Sequence, residues 1–152
     1  MAVNVIGAGL AGSECALQLS KRGIKVNLFE MRPKVSTNAH KTADFAEFVC
    51  SNSLGSDDVT NASGLLKKEM TLLGGELIKI VYDSSVPAGG ALAIDRTLFS
   101  KKVTEKIMAD PNINVINEEV LEIPQTPTVI ASGPLTSEAF SNAIKDFTQS
   151  EH

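Results

Sequence analysis

Residues 3–12, with the sequence VNVIGAGLAG, decide the fold of this chain. The β-branched run Val3–Ile6 predicts a short buried strand. The segment Leu10–Arg22 is rich in helix formers and is followed by Gly23, a residue typical of helix ends. A second apolar run, Lys25–Glu30, predicts another strand. The first thirty residues therefore predict a strand, a helix and a strand joined by turns short enough for a βαβ unit.

The glycines of this segment match the pattern G-x-G-x-x-G, and they lie between a predicted strand and a predicted helix, as dinucleotide binding requires. Gly7 permits a tight turn, Gly9 lets the backbone approach a pyrophosphate, and Gly12 lets the helix lie close to the strand. Glu30 ends the second strand, a position from which a carboxylate can accept hydrogen bonds from the ribose hydroxyl groups. The alternative is a glycine-rich turn with an incidental surface glutamate. We predict that the dinucleotide contacts Gly7, Ala8, Gly9, Leu10, Ala11, Gly12 and Glu30.

The composition limits the classes of protein to which the chain can belong. Its 152 residues suit one domain, and 43% hydrophobic residues exclude wholesale disorder. A net charge of −4 excludes nucleic-acid binding through bulk positive charge. Two cysteines do not make a disulfide scaffold, and no stretch is long and apolar enough for a membrane span. The residues before the first strand show no basic n-region or cleavage site, so we expect no leader. We expect a soluble cytoplasmic protein without a membrane contact.

The charge is uneven along the chain, with a net +2 over residues 1–55 and −6 over residues 56–152. The segment from Lys21 to Lys41 contains six cationic side chains and only one acidic side chain, that of Glu30. Such a run is either a solvated face or the approach path of a phosphate-rich ligand.

The rest of the chain alternates irregular segments with short elements. Residues 31–60 are irregular, with one or two helical turns near Phe45–Val49. Further elements are predicted as helices at Leu65–Leu73, at Asp95–Ala109 with Asp95 as N-cap, and around Phe140, Ile144 and Phe147, and as strands at Asn114–Asn117, Val120–Ile123 and Thr128–Ala131.

This order of elements favours FAD over NAD as the dinucleotide. An NAD domain continues promptly into a further helix and parallel strand, whereas here a long irregular stretch follows Glu30. A pair of short strands and then a strand ending in Ser132-Gly133 matches the layout of FAD domains of the glutathione-reductase type. In that layout Val120 contacts the adenine through its backbone, and Gly133 lies in the turn beside the cofactor.

Other chemically active side chains are ambiguous from the sequence. Cys50 is either a small buried hydrophobic residue or a reactive thiol, and Cys15 in the first helix is expected to pack. His40 lies in a polar loop, where a solvated histidine is the simpler interpretation. Arg96 follows the N-cap position and is a surface charge or a phosphate contact. The histidines and cysteines show no metal-ligand spacing, so no metal site is predicted.

Beyond the glycines, several longer segments of the chain are distinctive. They are residues 3–14 (VNVIGAGLAGSE), 30–33 (EMRP), 45–54 (FAEFVCSNSL), 86–96 (VPAGGALAIDR), 116–120 (INEEV) and 131–137 (ASGPLTS). In these segments, and so along essentially its whole length, the chain resembles the folate- and FAD-dependent tRNA (uracil-5-)-methyltransferases, the TrmFO (Gid) family. The Cys-Ser-Asn-Ser and Pro-Ala-Gly-Gly-Ala-Leu segments are specific to that family, whereas many flavoproteins share the glycine pattern.

The resemblance implies an enzyme that moves a methylene carbon from methylenetetrahydrofolate to C5 of a T-loop uridine in tRNA. Reduced FAD, regenerated by NAD(P)H, supplies the electrons that make the carbon a methyl group. Cys50 is the implied catalytic residue near the flavin, and Arg32 is added to the cofactor-binding residues. The chain departs from the family's pattern at Cys15, where alanine is more usual, and at Asn38 and Lys41 beside His40.

The family's members are much longer than this chain, so residues 1–152 are expected to be the N-terminal part of an FAD-binding domain. The rest of that domain and a substrate-binding domain would be absent, and the chain alone is expected to be inactive. The fold class is thus α/β, an FAD-binding Rossmann-like fold of the glutathione-reductase type. Two alternative functions stay open, another FAD-dependent oxidoreductase of this fold and a non-catalytic dinucleotide-binding domain.

Overall fold

The computed structural model describes residues 2–149. In chain order its elements are β1 (Ala2–Ile6), α1 (Leu10–Lys21), β2 (Lys25–Phe29), β3 (Ser53–Ser56), α2 (Ala62–Leu72), α3 (Glu76–Asp83), β4 (Ser85–Val86), β5 (Ala91–Ile94), α4 (Arg96–Met108), β6 (Ile113–Ile116), β7 (Thr128–Ile130), a single 3-10 turn (Gly133–Leu135) and α5 (Glu138–Thr148).

A four-stranded parallel sheet is the framework of the molecule, with the strand order β6-β2-β1-β7. In this sheet Val5 of β1 is in register with Leu28 of β2 on one side and with Val129 of β7 on the other. Val5 and Leu28 are fully buried, which explains the continuous apolar runs of these two strands. All four strands run in one direction, so their carboxyl ends meet at one edge of the sheet.

Three helices build the main core with this sheet. Helix α1 contacts β1, β2 and β6, and it packs against α3 and α4. The side chains that interlock there are apolar and almost wholly inaccessible to water, and their burial supplies the main driving force for folding. The largest of them include Phe99, Val103 and Ile107 on α4, and Leu77, Ile78 and Val81 on α3.

A second, three-stranded antiparallel sheet, with the order β3-β5-β4, comes from the part of the chain that the sequence predicts as irregular or extended. Within it Ser85 pairs with Ile94 and Ser53 with Ala93. The strands have only two to four residues each, so their pattern is too short to identify from the sequence.

Several predicted elements differ in the structure. Residues 120–123 alternate in polarity but form no strand, because no neighbouring strand offers them hydrogen bonds. The predicted helical turns at residues 45–49 are a turn and bends. Helix α3 is not predicted from the sequence, because a segment of eight residues after Gly74-Gly75 is too short to show a clear helical repeat of apolar residues.

The predicted α/β fold with its N-terminal strand–helix–strand unit is confirmed. Asp95 caps α4 as predicted, its Oδ1 accepting a hydrogen bond from the Leu98 N–H at 3.0 Å. Among residues 2–149, no helix combines the length and the apolar character needed to cross a membrane.

Candidate functional site

A pocket of about 330 Å³ opens at the edge where the carboxyl ends of β1, β2 and β7 meet. Its walls begin with the last residues of two strands, Ile6 and Phe29, and with Ala131 just after the third. Ligands of open parallel sheets bind outside the carboxyl ends of the strands. The pocket therefore lies where this architecture places a binding site.

The three glycines of the G-x-G-x-x-G pattern have different surroundings. Gly7 has φ +97°, and a Cβ there would lie 2.7 Å from the Cα of Ser132. A Cβ on Gly12 would overlap the carbonyl oxygen of Gly7, so that position holds α1 against the turn. Around Gly9 the space is open, and Gly9 lines the pocket. Gly7 and Gly12 therefore serve packing, whereas Gly9 keeps the pocket accessible.

The amino end of α1 faces this open space. Gly9 is the N-cap residue and gives α1 no side-chain cap, and Leu10 and Ala11 in the first turn also line the pocket. The first backbone N–H groups of a helix have no intrahelical acceptor, and together with the helix dipole they favour an anion. The geometry suits a phosphate group at this end of the pocket.

Glu30 lies at the end of β2 and is 6% exposed. Its Oε2 accepts a hydrogen bond from the Ala8 N–H at 3.0 Å, and its Oε1 accepts from the backbone N–H and Nε of Arg32 at 3.1 and 2.9 Å. Burial alone would raise the pKa of Glu30, but the Arg32 guanidinium and these N–H donors outweigh it and hold the pKa below its ordinary value. Glu30 is therefore an ionised acceptor in the pocket wall.

Arg32 is also buried, and it lies between two carboxylates. Its Nη1 is 3.4 Å from Oε2 of Glu47, and the same nitrogen donates to the Thr42 carbonyl oxygen at 3.1 Å. Glu47 accepts further hydrogen bonds from the backbone N–H groups of Lys41 and Thr42, at 2.9 and 3.1 Å. Separation of these groups would leave a buried charge without its partner, which is strongly destabilising. The network therefore fixes the shape of the loop that follows Glu30.

The same loop is fastened to the glycine-rich turn. The backbone N–H of Ala46 donates to the Ala8 carbonyl oxygen at 2.8 Å, and Ala46 takes the left-handed region with φ 53°. Next to it the Phe45 N–H donates to Oγ1 of Thr104 on α4 at 2.8 Å. These hydrogen bonds hold the loop in place as a wall of the pocket, although the sequence shows no regular pattern there.

On the opposite side, the pocket is closed by the chain around β7 and by residues 118–120. Gly133 has φ +68° and opens the 3-10 turn. Val120 is half-buried in the pocket wall, in irregular backbone rather than in the predicted strand. Asn117 connects this side to the other wall by donating from Nδ2 to the Arg32 carbonyl oxygen at 2.7 Å.

Most residues predicted from the sequence as cofactor contacts surround this pocket. Their role in binding stays a prediction. The predicted residues that line the pocket are Gly7, Gly9, Leu10, Ala11, Glu30, Arg32, Val120 and Gly133. Ala8 and Gly12 are predicted contacts that do not line it, because the Ala8 side chain is buried in the core and Gly12 packs on the turn.

Cys50, predicted as the catalytic residue, lies outside the pocket wall. Its neighbour Val49 lines the pocket, whereas Cys50 itself is exposed. The segment is connected to α4 by Arg96, whose Nη1 donates to the Phe48 carbonyl oxygen at 3.4 Å. Cys15 is half-buried against the core, as expected, and burial raises the pKa of its thiol.

The pocket wall also contains polar residues that were not predicted as site residues, namely His40, Glu47, Glu118, Glu119, Ser132, Thr136 and Ser137. Glu47 is far from the glycine pattern in sequence, and its ion pair with Arg32 connects it to Glu30. For His40 a usable signal was Thr37, three residues earlier, since a hydroxyl at this spacing often bonds back within a loop. Within residues 2–149 no cluster of His, Cys, Asp or Glu side chains suits a metal ion.

The walls therefore differ in chemistry along the pocket. The end near α1 offers backbone N–H groups to an anion, and the end near β2 offers the Glu30 carboxylate together with the His40 imidazole. Phosphate oxygens suit the first end, and hydroxyl groups, which both donate and accept, suit the second. A nucleotide has both groups in this order.

Comparison with known protein families gives a match over residues 2–146 to the family described as glucose inhibited division protein A, GIDA. The methylenetetrahydrofolate–tRNA-(uracil-5-)-methyltransferase TrmFO of Bacillus licheniformis is 57% identical over 150 residues, which cover 99% of this chain and 35% of that protein. The enzyme of the same name from Bacillus pumilus is 58% identical with the same coverage. The chain thus spans about a third of the length of the curated relatives it matches.

Among solved structures, GidA of Aquifex aeolicus is similar with a TM-score of 0.64 and 21% identity, covering 82% of this chain and 21% of that one. The p-nitrophenol 4-monooxygenase PnpA of Pseudomonas putida is similar with a TM-score of 0.53 and 16% identity, over 82% of this chain and 34% of that protein. At such identities the likeness shows the fold alone.

Proposed function

The chain belongs to the glucose inhibited division protein A (GidA) family, and from that premise we propose that it is part of a methylenetetrahydrofolate- and FAD-dependent tRNA (uracil-5-)-methyltransferase. The observation that carries the proposal is the identity of more than half of the residues with the two Bacillus TrmFO proteins. The complete enzyme transfers a methylene carbon from the folate to C5 of a T-loop uridine in cytoplasmic tRNA.

In this proposal, residues 1–152 form the N-terminal part of the FAD-binding domain. The folate site, the tRNA surface and the site for NAD(P)H, which reduces the flavin, lie largely in sequence outside this chain. The share of the relatives that the chain matches supports that division. The pocket of this chain therefore serves to bind and orient the cofactor.

The residues of the pocket fit the ADP half of FAD. The amino end of α1, which has no side-chain cap, supplies N–H groups for the diphosphate, and the open space beside Gly9 lets the phosphates approach the backbone. The ionised Glu30 carboxylate accepts a hydrogen bond from a ribose hydroxyl. Val120 and Gly133 lie on the opposite wall of the pocket. FAD, when bound and reduced, supplies the electrons that turn the transferred carbon into a methyl group.

A labelled-substrate assay on the full-length protein tests this function. Methylenetetrahydrofolate labelled in its methylene carbon is incubated with tRNA, NADPH and the enzyme, and the label is expected in 5-methyluridine of the T-loop. A flavin-containing protein that oxidises NADPH without labelling tRNA would instead be another FAD-dependent oxidoreductase. A protein that holds nucleotide but neither flavin nor label would be a binding domain without catalysis.

Cys50 is the residue of this chain that we propose as catalytic. Its exposure supports the proposal, because an exposed thiol is open to substrate or to another part of the enzyme, whereas a packing cysteine is enclosed. A thiolate at this position forms a covalent bond to carbon or moves a proton, and a methyl group does neither.

Replacement of Cys50 by alanine separates catalysis from packing. In the full-length enzyme Cys50→Ala is expected to keep its FAD content and stability and to lose methyl transfer by about 100-fold or more. The matched control is Cys15→Ala, which removes a half-buried sulfur next to the core. That variant is expected to lose about 1 kcal/mol of stability and to keep its turnover. A Cys50→Ala enzyme with full turnover would exclude a catalytic role.

A further inference from the structure

His40 lies in the wall of the pocket, in the loop that the Glu30–Arg32–Glu47 network holds in place. The side chain is fixed on one side, since its Nδ1 is 2.7 Å from Oγ1 of Thr37. Among the described residues no group contacts its other ring nitrogen, Nε2, by a hydrogen bond. The sequence alone gives this histidine no role, but the structure holds it at the site.

Thr37 fixes the Nδ1 side of the His40 ring. The backbone N–H of His40 donates to Oγ1 of Thr37 at 3.3 Å, and the same oxygen lies 2.7 Å from Nδ1. The hydroxyl has one hydrogen to donate and a second lone pair, so it pairs with Nδ1 in either tautomer of the ring. In the tautomer in which Nδ1 accepts from Thr37, the neutral ring carries its proton on Nε2.

The surroundings keep this ring neutral. Burial lowers the pKa of His40 first, and the positive charge of Arg32 lowers it further, while the carboxylates of Glu47 and Glu30 oppose the shift without cancelling it. Near pH 7 the side chain is therefore neutral, with one ring N–H to donate, and is not a cation. A neutral donor suits a hydroxyl group, and the charges of Glu30 and Glu47, which act on this ring, disfavour a phosphate beside it.

We propose that Thr37, as the positioning residue, donates to Nδ1 of His40, and that His40 donates a hydrogen bond from Nε2 to a ribose hydroxyl of the adenosine half of the bound dinucleotide. This inference rests on the proposed function, because it needs a dinucleotide in the pocket. Glu30 accepts a hydrogen bond from the ribose, and His40 gives one to it. Two hydroxyl groups on neighbouring ribose carbons can use an acceptor and a donor at the same time.

The test compares variants that keep or remove a donor at the position of Nε2. In the full-length protein, after removal of flavin, the Kd for ADP and for 2′,3′-dideoxy-ADP is measured by calorimetry. His40→Ala is expected to weaken ADP binding by about 5- to 10-fold, the effect of one hydrogen bond, and to leave the dideoxy analogue unchanged. His40→Gln, whose amide nitrogen approximates Nε2, is expected to bind ADP nearly as the unsubstituted protein does, whereas His40→Asn resembles His40→Ala.

Thr37→Val supplies a second, independent measurement. It removes the hydroxyl that orients the ring, so ADP binding is expected to weaken in the same direction. Combined with His40→Ala it should add little further loss, because both changes remove one interaction. Equal losses for ADP and the dideoxy analogue in His40→Ala, or ADP binding unchanged in that variant, would overturn the inference.

The outcome is distinct from a failure of the proposed function. If the unsubstituted full-length protein binds FAD and ADP and His40→Ala binds them equally well, only the role of His40 is wrong. If the unsubstituted protein binds neither ligand, the proposed flavoenzyme and the role of His40 are both overturned. FAD retained through purification, measured by absorbance, provides this readout without any assay of activity.

Discussion

Glu76, the first residue of α3, connects three helices through its carboxylate. Oε1 lies 3.0 Å from Nζ of Lys21 on α1 and 2.6 Å from Nζ of Lys79, and Oε2 lies 2.8 Å from Nζ of Lys106 on α4. The glutamate side chain is only 10% exposed, whereas the lysines are about half-exposed. We predict that Glu76→Gln destabilises the packing of α1, α3 and α4.

The size of the effect follows from the pKa of Glu76. Hydrogen bonds first from Lys106 and then from Lys79 and Lys21 lower that pKa from 4.5 to about 2, although burial opposes the shift. Such a difference corresponds to about 3 kcal/mol in the free energy of unfolding. Because water screens the half-exposed lysines, we discount this figure and expect Glu76→Gln to cost about 2 kcal/mol.

The pH dependence has a definite sign. The pKa of Glu76 is lower in the folded protein than in the unfolded chain, so the carboxylate stabilises the fold fully above pH 4.5. This contribution is lost as the pH falls from 4.5 towards 2, because protonation removes the charge that the lysines contact. The difference between the unsubstituted protein and Glu76→Gln should therefore be largest near pH 7 and shrink in acid.

Urea unfolding of the full-length protein, followed by far-ultraviolet circular dichroism, measures this difference. Glu105→Gln is the matched control, since Glu105 pairs with Lys101 only at 4.0 Å on the surface and is 64% exposed. That control should change the stability by less than about 0.5 kcal/mol. Equal stability of Glu76→Gln and the unsubstituted protein at pH 7, or a loss that persists unchanged at pH 2, would refute the reasoning.

Two further predictions separate packing from binding in the glycine-rich turn. Gly12→Ala places a Cβ on the carbonyl oxygen of Gly7, so α1 must shift, and we expect a loss of about 1–3 kcal/mol in urea unfolding. An unaltered unfolding midpoint would mean that the helix does not need this close approach. The Cβ of Gly9→Val meets no atom within 4 Å, so the variant should fold normally. Its side chain occupies the approach of the phosphates, so the full-length protein should purify without flavin. Full yellow colour in that variant would place the phosphates elsewhere.

The glycine turn and Glu30 were predictable because their signal is local. The pattern, the flanking strands and the acid lie within thirty residues, and each follows from backbone geometry that the sequence encodes directly. The hydrogen bond of Ala8 was harder to predict. The sequence shows that the Ala8 N–H lies in the turn, but it does not show that Glu30 accepts a hydrogen bond from it.

The loop wall of the pocket was not predictable in the same way. Its shape depends on Glu47 meeting Arg32 and on the Ala46 N–H reaching the Ala8 carbonyl oxygen, and both contacts join residues that no periodic pattern relates. The small β3-β5-β4 sheet escaped prediction for the same reason, because very short strands are stabilised by their partners rather than by their own composition. The strand predicted at residues 120–123 was wrong for the opposite reason, because these residues have the alternating pattern of a strand but no neighbouring strand with which to pair.

The carboxylate of Glu30 also organises the protein itself. It accepts hydrogen bonds from the Ala8 N–H and from Arg32, so it connects the glycine-rich turn to the loop independently of any ligand. In the proposed complex, binding would then cost less conformational entropy than it would if the ligand had to assemble its own walls. A loss of affinity after substitution of Glu30 would combine two effects, the absence of the proposed ribose contact and a disordered turn. A loss after substitution of His40, which fixes no backbone outside its own loop, would report one.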